Sequence, residues 1–171
     1  IEVPDRAVWI RMLMTELNRI TSHMLFMATN GMDLGAVSMM LYGWREREEL
    51  LRFFEVVTGL RMNHNYIRPG GVAQDLPHGA VDMVREVVGE LRQGLHEIEL
   101  LINENPLLKG RTVGIGYLDL TGCVALGVTG PVLRSTGLPH DLRKSDPYCG
   151  YETYDFDVVT RTGCDASDRI R

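Results

Sequence analysis

The sequence predicts a mainly α fold, in which long antiparallel helices form a bundle and a short irregular α/β segment follows. Apolar residues recur at three- and four-residue spacing over three long stretches within residues 1–105, a pattern typical of amphipathic helices. From residue 109 onward, glycines and prolines divide the chain into short pieces, which favours turns. We expect a single partial domain over residues 1–171, truncated at both ends, with a helical bundle over 1–105 and a glycine-rich irregular segment with short helices and a strand over 106–171.

The first helix is predicted over residues 5 to about 30. Asp5 follows Pro4 and can cap the helix, because its carboxylate can accept the free first-turn N–H groups. Gly31 is expected to end the helix in the left-handed conformation. The apolar face consists of Ile10, Leu13, Met14, Leu17, Ile20, Met24 and Met27.

The second helix is predicted over residues 38–58, with Gly59 after its end. Trp44, Leu51, Phe54 and Val57 are expected to face the core. The charged run over residues 45–49 predicts a solvated face with i,i+4 ion pairs. A polar interface to another subunit is the alternative for this run.

Residues 59–77 form a long connection without periodicity, and such loops in compact domains are usually functional or disordered. A third helix is predicted over residues 79–103, ended by the approach of Pro106. Its apolar stripe is predicted to consist of Val81, Val84, Val88, Leu91, Leu95, Ile98, Leu101 and Ile102.

The last third of the chain predicts a short helix over residues 120–126, a strand in YETYDFDVV and the start of a helix in DASDRIR. A dense group of charges precedes the predicted strand. These charges indicate either a solvated surface or a polar network that fixes irregular backbone around a cavity. The group consists of Arg134, Asp141, Arg143 and Lys144.

Composition excludes several classes of function. The net charge is −5 and no basic stripe occurs, so nucleic acid is not an expected partner. No apolar run approaches the roughly 18 residues that span a bilayer, and the start of the chain does not resemble a signal peptide. Cys123, Cys149 and Cys164 are widely spaced without a CxxC motif, so we expect no metal site or cluster on this chain and a reducing compartment.

Asp33 is the carboxylate of most interest. It follows the first helix between Met32 and Leu34, where the helix dipole and apolar neighbours disfavour a negative charge. It is either a turn residue that binds main-chain N–H groups or an acid that lies in a pocket wall near a protonatable partner. Glu16, Arg19 and His23 share a helix face, for which an intrahelical ion-pair ladder is the preferred interpretation.

Three long blocks carry a family resemblance: IRMLMTELNRITSHMLFMATNGMDLGA, LYGWREREELLRFFEVVTGLRMNHNYIRPGGVAQDLP and GPVLRSTGLPHDLRKSDPYCGYETYDFDV. In order and spacing they resemble the D-type subunit of respiratory complex I, its quinone-site subunit. The resemblance covers essentially the whole chain. It implies a fold related to the large subunit of nickel–iron hydrogenases, without the metal, since nickel would need the paired CxxC motifs that this chain lacks.

The resemblance also implies a function. The enzyme would be the proton-pumping NADH:quinone oxidoreductase, in which an iron–sulfur cluster on the neighbouring B-type subunit passes electrons to quinone. Further partners would be the C-type subunit and the membrane-arm subunit of the quinone channel. The location would be peripheral, on the cytoplasmic side of the cell membrane. This chain would bind no cofactor itself and would be inactive alone, because the family's quinone-binding His and Tyr lie outside it.

Individual residues inherit roles from the resemblance. Asp33 would be the catalytic carboxylate that pairs with the absent His, and Leu25 would line the quinone cavity. Arg68 and His64 would lie near the cluster. Where the family commonly has His, this chain has Asn63, which cannot titrate. We therefore expect a lower cluster potential with a weaker pH dependence, which would suit menaquinone.

Two other functions stay open. The chain could belong to the large subunit of a related membrane-bound hydrogenase, which paired CxxC motifs elsewhere in the protein would favour. It could also be a non-catalytic helical scaffold, which unchanged turnover after replacement of Asp33 would favour.

Overall fold

The computed structural model describes residues 1–170 and divides the chain into two compact units, Ile1–Leu101 and Ile102–Arg171. The first unit contains α1 (Asp5–Asp33), α2 (Met39–Thr58), the strands β1 (Ile67–Arg68) and β2 (Gly71–Val72), and nearly all of α3 (Ala80–Asn103). The second contains α4 (Pro106–Thr112), α5 (Leu120–Ala125), α6 (Gly130–Arg134), α7 (Leu142–Ser145), a 3₁₀ turn (Tyr151–Thr153) and α8 (Ala166–Ile170). The prediction of a mainly α fold is confirmed. The single partial domain stays a prediction.

Helices α1 and α2 run antiparallel. Gly31 near the end of α1 lies against Met39 at the start of α2. Further along α2, the guanidinium of Arg47 donates a 2.7 Å hydrogen bond to the main-chain carbonyl of Thr21, more than two turns earlier in α1. The contact at the start of α2 is with the end of α1, and the contact farther along α2 is with an earlier part of α1. The two helices therefore run in opposite directions, as expected for helices joined by a short link.

The core of the first unit lies between the helices and the hairpin that follows α2. Burial of these side chains away from water is the main driving force for the packing. The buried core residues are Ile10, Met14, Leu17, Leu50, Leu51, Phe53, Phe54, Val57, Tyr66, Ala80, Val87 and Leu91.

Two predicted apolar faces are partly wrong. Trp44 is 38% exposed rather than directed into the core, because the buried row of α2 passes through Gly43, one position earlier. On α3, Val81 and Leu95 are exposed, whereas Val87 is buried. The stripe therefore lies to one side of the predicted position, although Leu91, Ile98 and Ile102 are buried on it as expected.

The predicted ends of α1 need correction. At the start, Pro4 is the cap residue and no side chain caps the helix, so Asp5 lies in the first turn instead. At the other end, Gly31 is a buried residue within the helix, and it has to be glycine because a β-carbon there would collide with Met39. The left-handed residue is Gly35, with φ of 97°. Its N–H donates to Met32 and the next N–H to Gly31, which is the Schellman arrangement.

A small antiparallel hairpin interrupts the connection after α2, where the sequence predicted only a functional loop. Ile67 pairs with Val72 and Arg68 with Gly71. The turn between them has Pro69 before Gly70, whose φ is 86°. Proline followed by a glycine with positive φ is typical of a type II turn.

The second unit consists of short helices, three of which begin at a side-chain cap. Asn105, Asp119 and Asp141 accept hydrogen bonds from first-turn N–H groups. The short helix predicted over residues 120–126 and the helix start near the end of the described chain are confirmed.

The strand predicted in YETYDFDVV is wrong. Residues 151–153 form a 3₁₀ turn, and residues 154–159 pair with no strand in the described chain. Aromatic side chains of this segment contact one another instead: the Phe156 ring centroid lies 6.4 Å from that of Tyr151 and 6.2 Å from that of Tyr154.

Within residues 1–170, no helix combines the length and the apolar character that crossing a membrane requires.

Candidate functional site

Asp33 is the last residue of α1, and its side chain is exposed. Met32 beside it is also exposed. Within the described chain, neither a cation nor an N–H group contacts the Asp33 carboxylate, so no turn interaction of that carboxylate is present. The carboxylate lies where the carbonyl ends of α1 concentrate partial negative charge. Its oxygens are free to accept hydrogen bonds or to stabilise a cation that residues 1–170 do not supply.

Leu25 lies two turns before Asp33 on α1 and is half-buried. The carbonyl of Leu25 accepts the hydroxyl of Thr29 at 2.9 Å, a contact that any helix could contain. Its predicted role in a quinone cavity is therefore untested and stays a prediction.

Asn63, His64 and Arg68 share the connection after α2, and Tyr66 anchors this connection. The Tyr66 ring is buried, and its hydroxyl donates to the Gln74 carbonyl at 2.7 Å. The Gln74 amide donates in turn to the Val57 carbonyl near the end of α2, also at 2.7 Å. Burial raises the pKa of Tyr66, so the phenol stays a donor. These bonds hold both sides of the hairpin against α2.

His64 and Asn63 lie just before that anchor. The half-buried His64 ring lies 4.8 Å from the Phe54 ring, centroid to centroid, at 38°. Asn63 is exposed and has a φ of 56°, in the left-handed region. Asparagine and histidine adopt this region more readily than most residues. Position 63 thus directs a side chain outward from a loop that its neighbours fix.

Arg68 lies on β1 with its side chain exposed. Its Nε donates to the Asn65 carbonyl at 3.1 Å, and within the described residues no carboxylate pairs with it. The remaining donors of its guanidinium stay available for an anion or another acceptor. A fixed cation at this position can therefore stabilise negative charge that develops outside this chain.

Met62 links the loop after α2 to the middle of that helix. Its sulfur lies 3.8 Å from an Arg47 guanidinium nitrogen. Arg47 is eight residues after Met39, the first residue of α2, so it lies about 12 Å along the axis at the usual rise per residue. The loop and the end of α1 that carries Asp33 therefore both approach the first half of α2. Asp33 itself lies beyond the start of α2, and within the described residues no hydrogen bond or ion pair joins it to the loop.

The charged run over residues 45–49 is less solvated than predicted, because only Arg45 is exposed and residues 47–49 are half-buried. Glu46 is buried, pairs with Arg45 at 2.6 Å and fills the space left by Gly94 of α3. Arg47 is half-buried. Spacing offered a signal, because Glu46 precedes buried Leu50 by four residues. Glu48 does form an i,i+4 pair of the predicted kind, with Arg52, which also pairs with Glu49 at i,i+3 spacing.

In the predicted ladder on α1, Arg19 pairs with Glu16 at 3.0 Å. A separate groove of about 400 Å³ lies beside the start of α1 and contains none of the predicted site residues. Its lining consists of Arg6, Trp9, Ile10, Leu13, Leu76 and Val81.

Among residues 1–170, no three or more His, Cys, Asp or Glu side chains converge where they could hold a metal ion.

In the second unit, the charged residues that precede the YETYDFDVV segment form a hydrogen-bonded network around Asp141. The buried Asp141 carboxylate accepts the Arg143 main-chain N–H at 3.0 Å and its guanidinium at 2.7 Å. The hydrogen bond from the Arg143 side chain lowers the pKa of Asp141 to about 2. Arg134 donates to the His140 carbonyl at 3.5 Å. This arrangement supports the network interpretation, whereas Lys144 is exposed.

Comparisons with known proteins bear on the whole chain. The family model described as the respiratory-chain NADH dehydrogenase, 49 Kd subunit, matches residues 33–171. A protein of Rhodococcus jostii (strain RHA1), named as the D-type subunit of NADH-quinone oxidoreductase, is 65% identical over 98% of this chain and 38% of its own length. Proteins of Mycolicibacterium smegmatis and Streptomyces coelicolor, which carry the same subunit name, are 62% and 61% identical over 98% and 99% of this chain. Each is likewise covered over 38% of its length. The chain thus spans well under half of these relatives, and it belongs to the family of the 49 Kd subunit of the respiratory-chain NADH dehydrogenase.

Proposed function

We propose that this chain forms part of the quinone-reduction site of a proton-pumping NADH:quinone oxidoreductase. The relatives are named subunits of NADH-quinone oxidoreductase, and the resemblance implies that this region contributes to the wall of the quinone cavity. One observation carries the proposal: Asp33 is an exposed carboxylate at a helix C-terminus, without a partner in the described chain. The helix dipole disfavours a negative charge at this position. A cationic partner outside the described chain would offset that cost and would explain why a carboxylate occurs there.

The chemistry requires two electrons and two protons for each quinone that becomes a quinol. In our proposal, Asp33 acts through a histidine outside this chain. A carboxylate beside an imidazole orients the ring and favours its charged form. The imidazolium then donates one of the two protons to the reduced head group, and the tyrosine outside this chain, which the resemblance implies as the second head-group ligand, donates the other. Asp33 is therefore a positioning residue in this scheme, and Leu25 contributes an apolar part of the cavity wall.

The loop with Asn63, His64 and Arg68 would face the electron donor. An iron–sulfur cluster on a neighbouring subunit supplies the electrons, and positive charge near it stabilises its reduced form. The exposed Arg68 guanidinium, which no carboxylate in the described chain neutralises, is suited to that purpose.

The family assignment supports further proposals about the assembly. The partners would be the B-type and C-type subunits and the membrane-arm subunit that forms the quinone channel. The complex would be peripheral to the cell membrane on its cytoplasmic side, and the fold would be that of the nickel–iron hydrogenase large subunit without the nickel.

Replacement of Asp33 by Asn in the intact complex tests the proposal. We expect NADH–quinone turnover to fall at least tenfold, since the neutral amide no longer favours the charged imidazole. NADH oxidation by an artificial acceptor that takes electrons upstream should stay unchanged. Glu99→Gln serves as a matched control, because Glu99 is an exposed carboxylate on α3. Normal turnover in a fully assembled Asp33→Asn complex would favour the scaffold function instead.

A further inference from the structure

Arg47 is a half-buried cation that lacks an anionic partner in the described chain. One terminal nitrogen of its guanidinium donates to the Thr21 carbonyl at 2.7 Å. The other lies at the surface, 3.8 Å from the Met62 sulfur, which is a weak acceptor. Its Nε is buried without any acceptor. The Trp44 ring covers one side, with its centroid 5.5 Å from the guanidinium carbon.

The neighbouring arginines differ from Arg47. Arg45 pairs with Glu97 at 2.9 Å as well as with Glu46. Arg61, on the loop after α2, pairs with Glu48 through two hydrogen bonds of 2.5 and 2.7 Å. Arg52 also has carboxylate partners. Carboxylates of this chain thus neutralise Arg45, Arg52 and Arg61, whereas Arg47, which is more buried than these three, stays uncompensated in the described residues.

Partial burial without an anion is unfavourable for a guanidinium. Loss of water penalises the charged group, and a carbonyl, a sulfur and a ring replace only part of that hydration. A carboxylate is the acceptor that matches the planar donors of arginine most closely, because two parallel hydrogen bonds can form. The surface end of the Arg47 side chain is therefore prepared for a carboxylate from outside this chain.

The surroundings of that end indicate the kind of molecule that supplies it. Trp44 is 38% exposed and Met62 is 51% exposed, and each contacts the Arg47 guanidinium. Arg, Trp and Met are enriched where proteins meet, and apolar residues around a charge pair exclude water from it. A small free anion would leave these apolar groups uncovered, whereas a polypeptide would bury them.

We propose that the surface formed by Trp44, Arg47 and Met62, the Arg47 surface, binds a neighbouring polypeptide through an Asp or Glu carboxylate that the Arg47 guanidinium receives. This inference rests on the proposed function only in requiring that the chain works within a multi-subunit complex. The partner segment carries one acid flanked by apolar side chains that cover Trp44 and Met62.

Salt titration of the intact complex measures the contribution of Arg47 to association. Full-length proteins with Arg47→Met, Arg47→Lys or Arg52→Met are assembled into the complex, and their retention is followed on native gels as NaCl rises. Arg52→Met is the matched control, because it removes an exposed arginine of the same helix whose carboxylates belong to this chain. We expect roughly a 30-fold or greater loss of affinity for Arg47→Met, a smaller loss for Arg47→Lys and less than about twofold for Arg52→Met.

A cross-link identifies the carboxylate. Leu41, one turn before Trp44 and 75% exposed, is replaced by a photoreactive amino acid in the otherwise unchanged purified complex. We expect the captured peptide to contain an Asp or Glu. Its replacement by the amide should weaken association as Arg47→Met does, and the two changes together should cost no more than either alone. This measurement also decides the matter if Arg47→Met does not fold.

Three results would overturn the proposal. Arg47→Met could retain normal affinity for the complex, which would make Arg47 an internal tether of α1 and the loop. It could shift the cluster potential with association unchanged, in which case its charge acts on the electron donor. The captured peptide could also lack an acid whose loss matters, or it could belong to another segment of the same full-length protein rather than to a neighbouring polypeptide. None of these depends on turnover, so failure of the Asp33 test leaves this inference separately measurable.

Discussion

Gly43 of α2 lies directly against Ala28 of α1, so that a β-carbon on Gly43 would fall 2.7 Å from the Ala28 β-carbon and 2.8 Å from the Met24 carbonyl oxygen. Such distances are shorter than van der Waals contact. The carbonyl belongs to the backbone of α1 and cannot rotate away. The two helices therefore approach closely only because position 43 has no side chain.

Gly43→Ala should lower the free energy of unfolding by about 1–2 kcal/mol in the full-length protein. Overpacking between α1 and α2 costs more than the gain in helix propensity returns. Gly89→Ala on α3 is the matched control, because a β-carbon there meets nothing within 4 Å. That change should stabilise the protein by about 0.5–1 kcal/mol. Chemical denaturation of both variants measures the difference, and equal effects would contradict the close approach.

The glycines also show what the sequence can and cannot predict. Gly59 is expected to follow a helix end and does so with a φ of 80°. Gly31 carries the same signal but is helical, and Gly35 takes the left-handed position. A glycine that follows an apolar helical pattern can either end the helix in the left-handed conformation or continue the helix where another helix approaches closely. Only the position of Met39 on the next helix decides between them.

Long helices are predictable because burial repeats along them, whereas the candidate site depends on contacts between distant residues. The loop carrying Asn63 stands out in the sequence by its length and polarity. The hydrogen bonds of Tyr66 and Gln74 that anchor this loop cannot be predicted, since the sequence does not reveal which carbonyl accepts the hydrogen bond of a buried phenol. The spacing of Glu46 from Leu50 indicates that it lies on the buried face of α2, but the sequence does not reveal the space that receives its carboxylate, at Gly94, 48 positions away on α3.

Tyr66→Phe should loosen the loop that carries the candidate site. The Gln74 carbonyl loses its hydrogen-bond donor, which costs about 1 kcal/mol. Amide hydrogen exchange over residues 61–74 should therefore accelerate by roughly fivefold. Tyr154→Phe provides the control, because Tyr154 is half exposed in the second unit and its loss should leave exchange over residues 61–74 unchanged. Equal exchange in Tyr66→Phe and the unaltered protein would show that the bond does not hold the loop.

Acidic pH should lower the free energy of unfolding of the second unit, because Asp141 becomes protonated. Its pKa falls from 3.8 to about 2 when the chain folds, so the unfolded chain binds more protons between these values. Stability from this group is complete above pH 3.8 and disappears as the pH falls toward 2. The shift corresponds to roughly 2 kcal/mol.

Asp141→Asn keeps a side-chain cap for α7 but removes the charge. We expect a loss of about 2 kcal/mol at neutral pH and a flatter dependence of unfolding free energy on pH below 3.8. Denaturation of the full-length protein over a series of acidic buffers measures both. Asp146→Asn, at an exposed position just after α7, should leave the acid dependence as it is. An identical acid profile for Asp141→Asn would refute the assigned cause.

Asn63→His should introduce a pH dependence into the potential of the neighbouring cluster, if the loop faces the electron donor as proposed. Histidine tolerates the positive φ at this position, and its side chain titrates near pH 6.5. A protonated imidazole stabilises the reduced cluster, so the potential rises below that pH. As the pH increases, the proton is lost and the potential should fall by up to about 59 mV per pH unit for a one-electron couple.

Redox titration of the intact complex, followed by electron paramagnetic resonance, measures this slope. Asn63→Gln changes the size of the side chain without adding a titratable group, and its slope should match that of the unaltered complex. A potential that already falls steeply with pH when Asn63 is present would show that another group near the cluster titrates. In that case the loss of a titratable residue at position 63 could not explain a preference for a low-potential quinone.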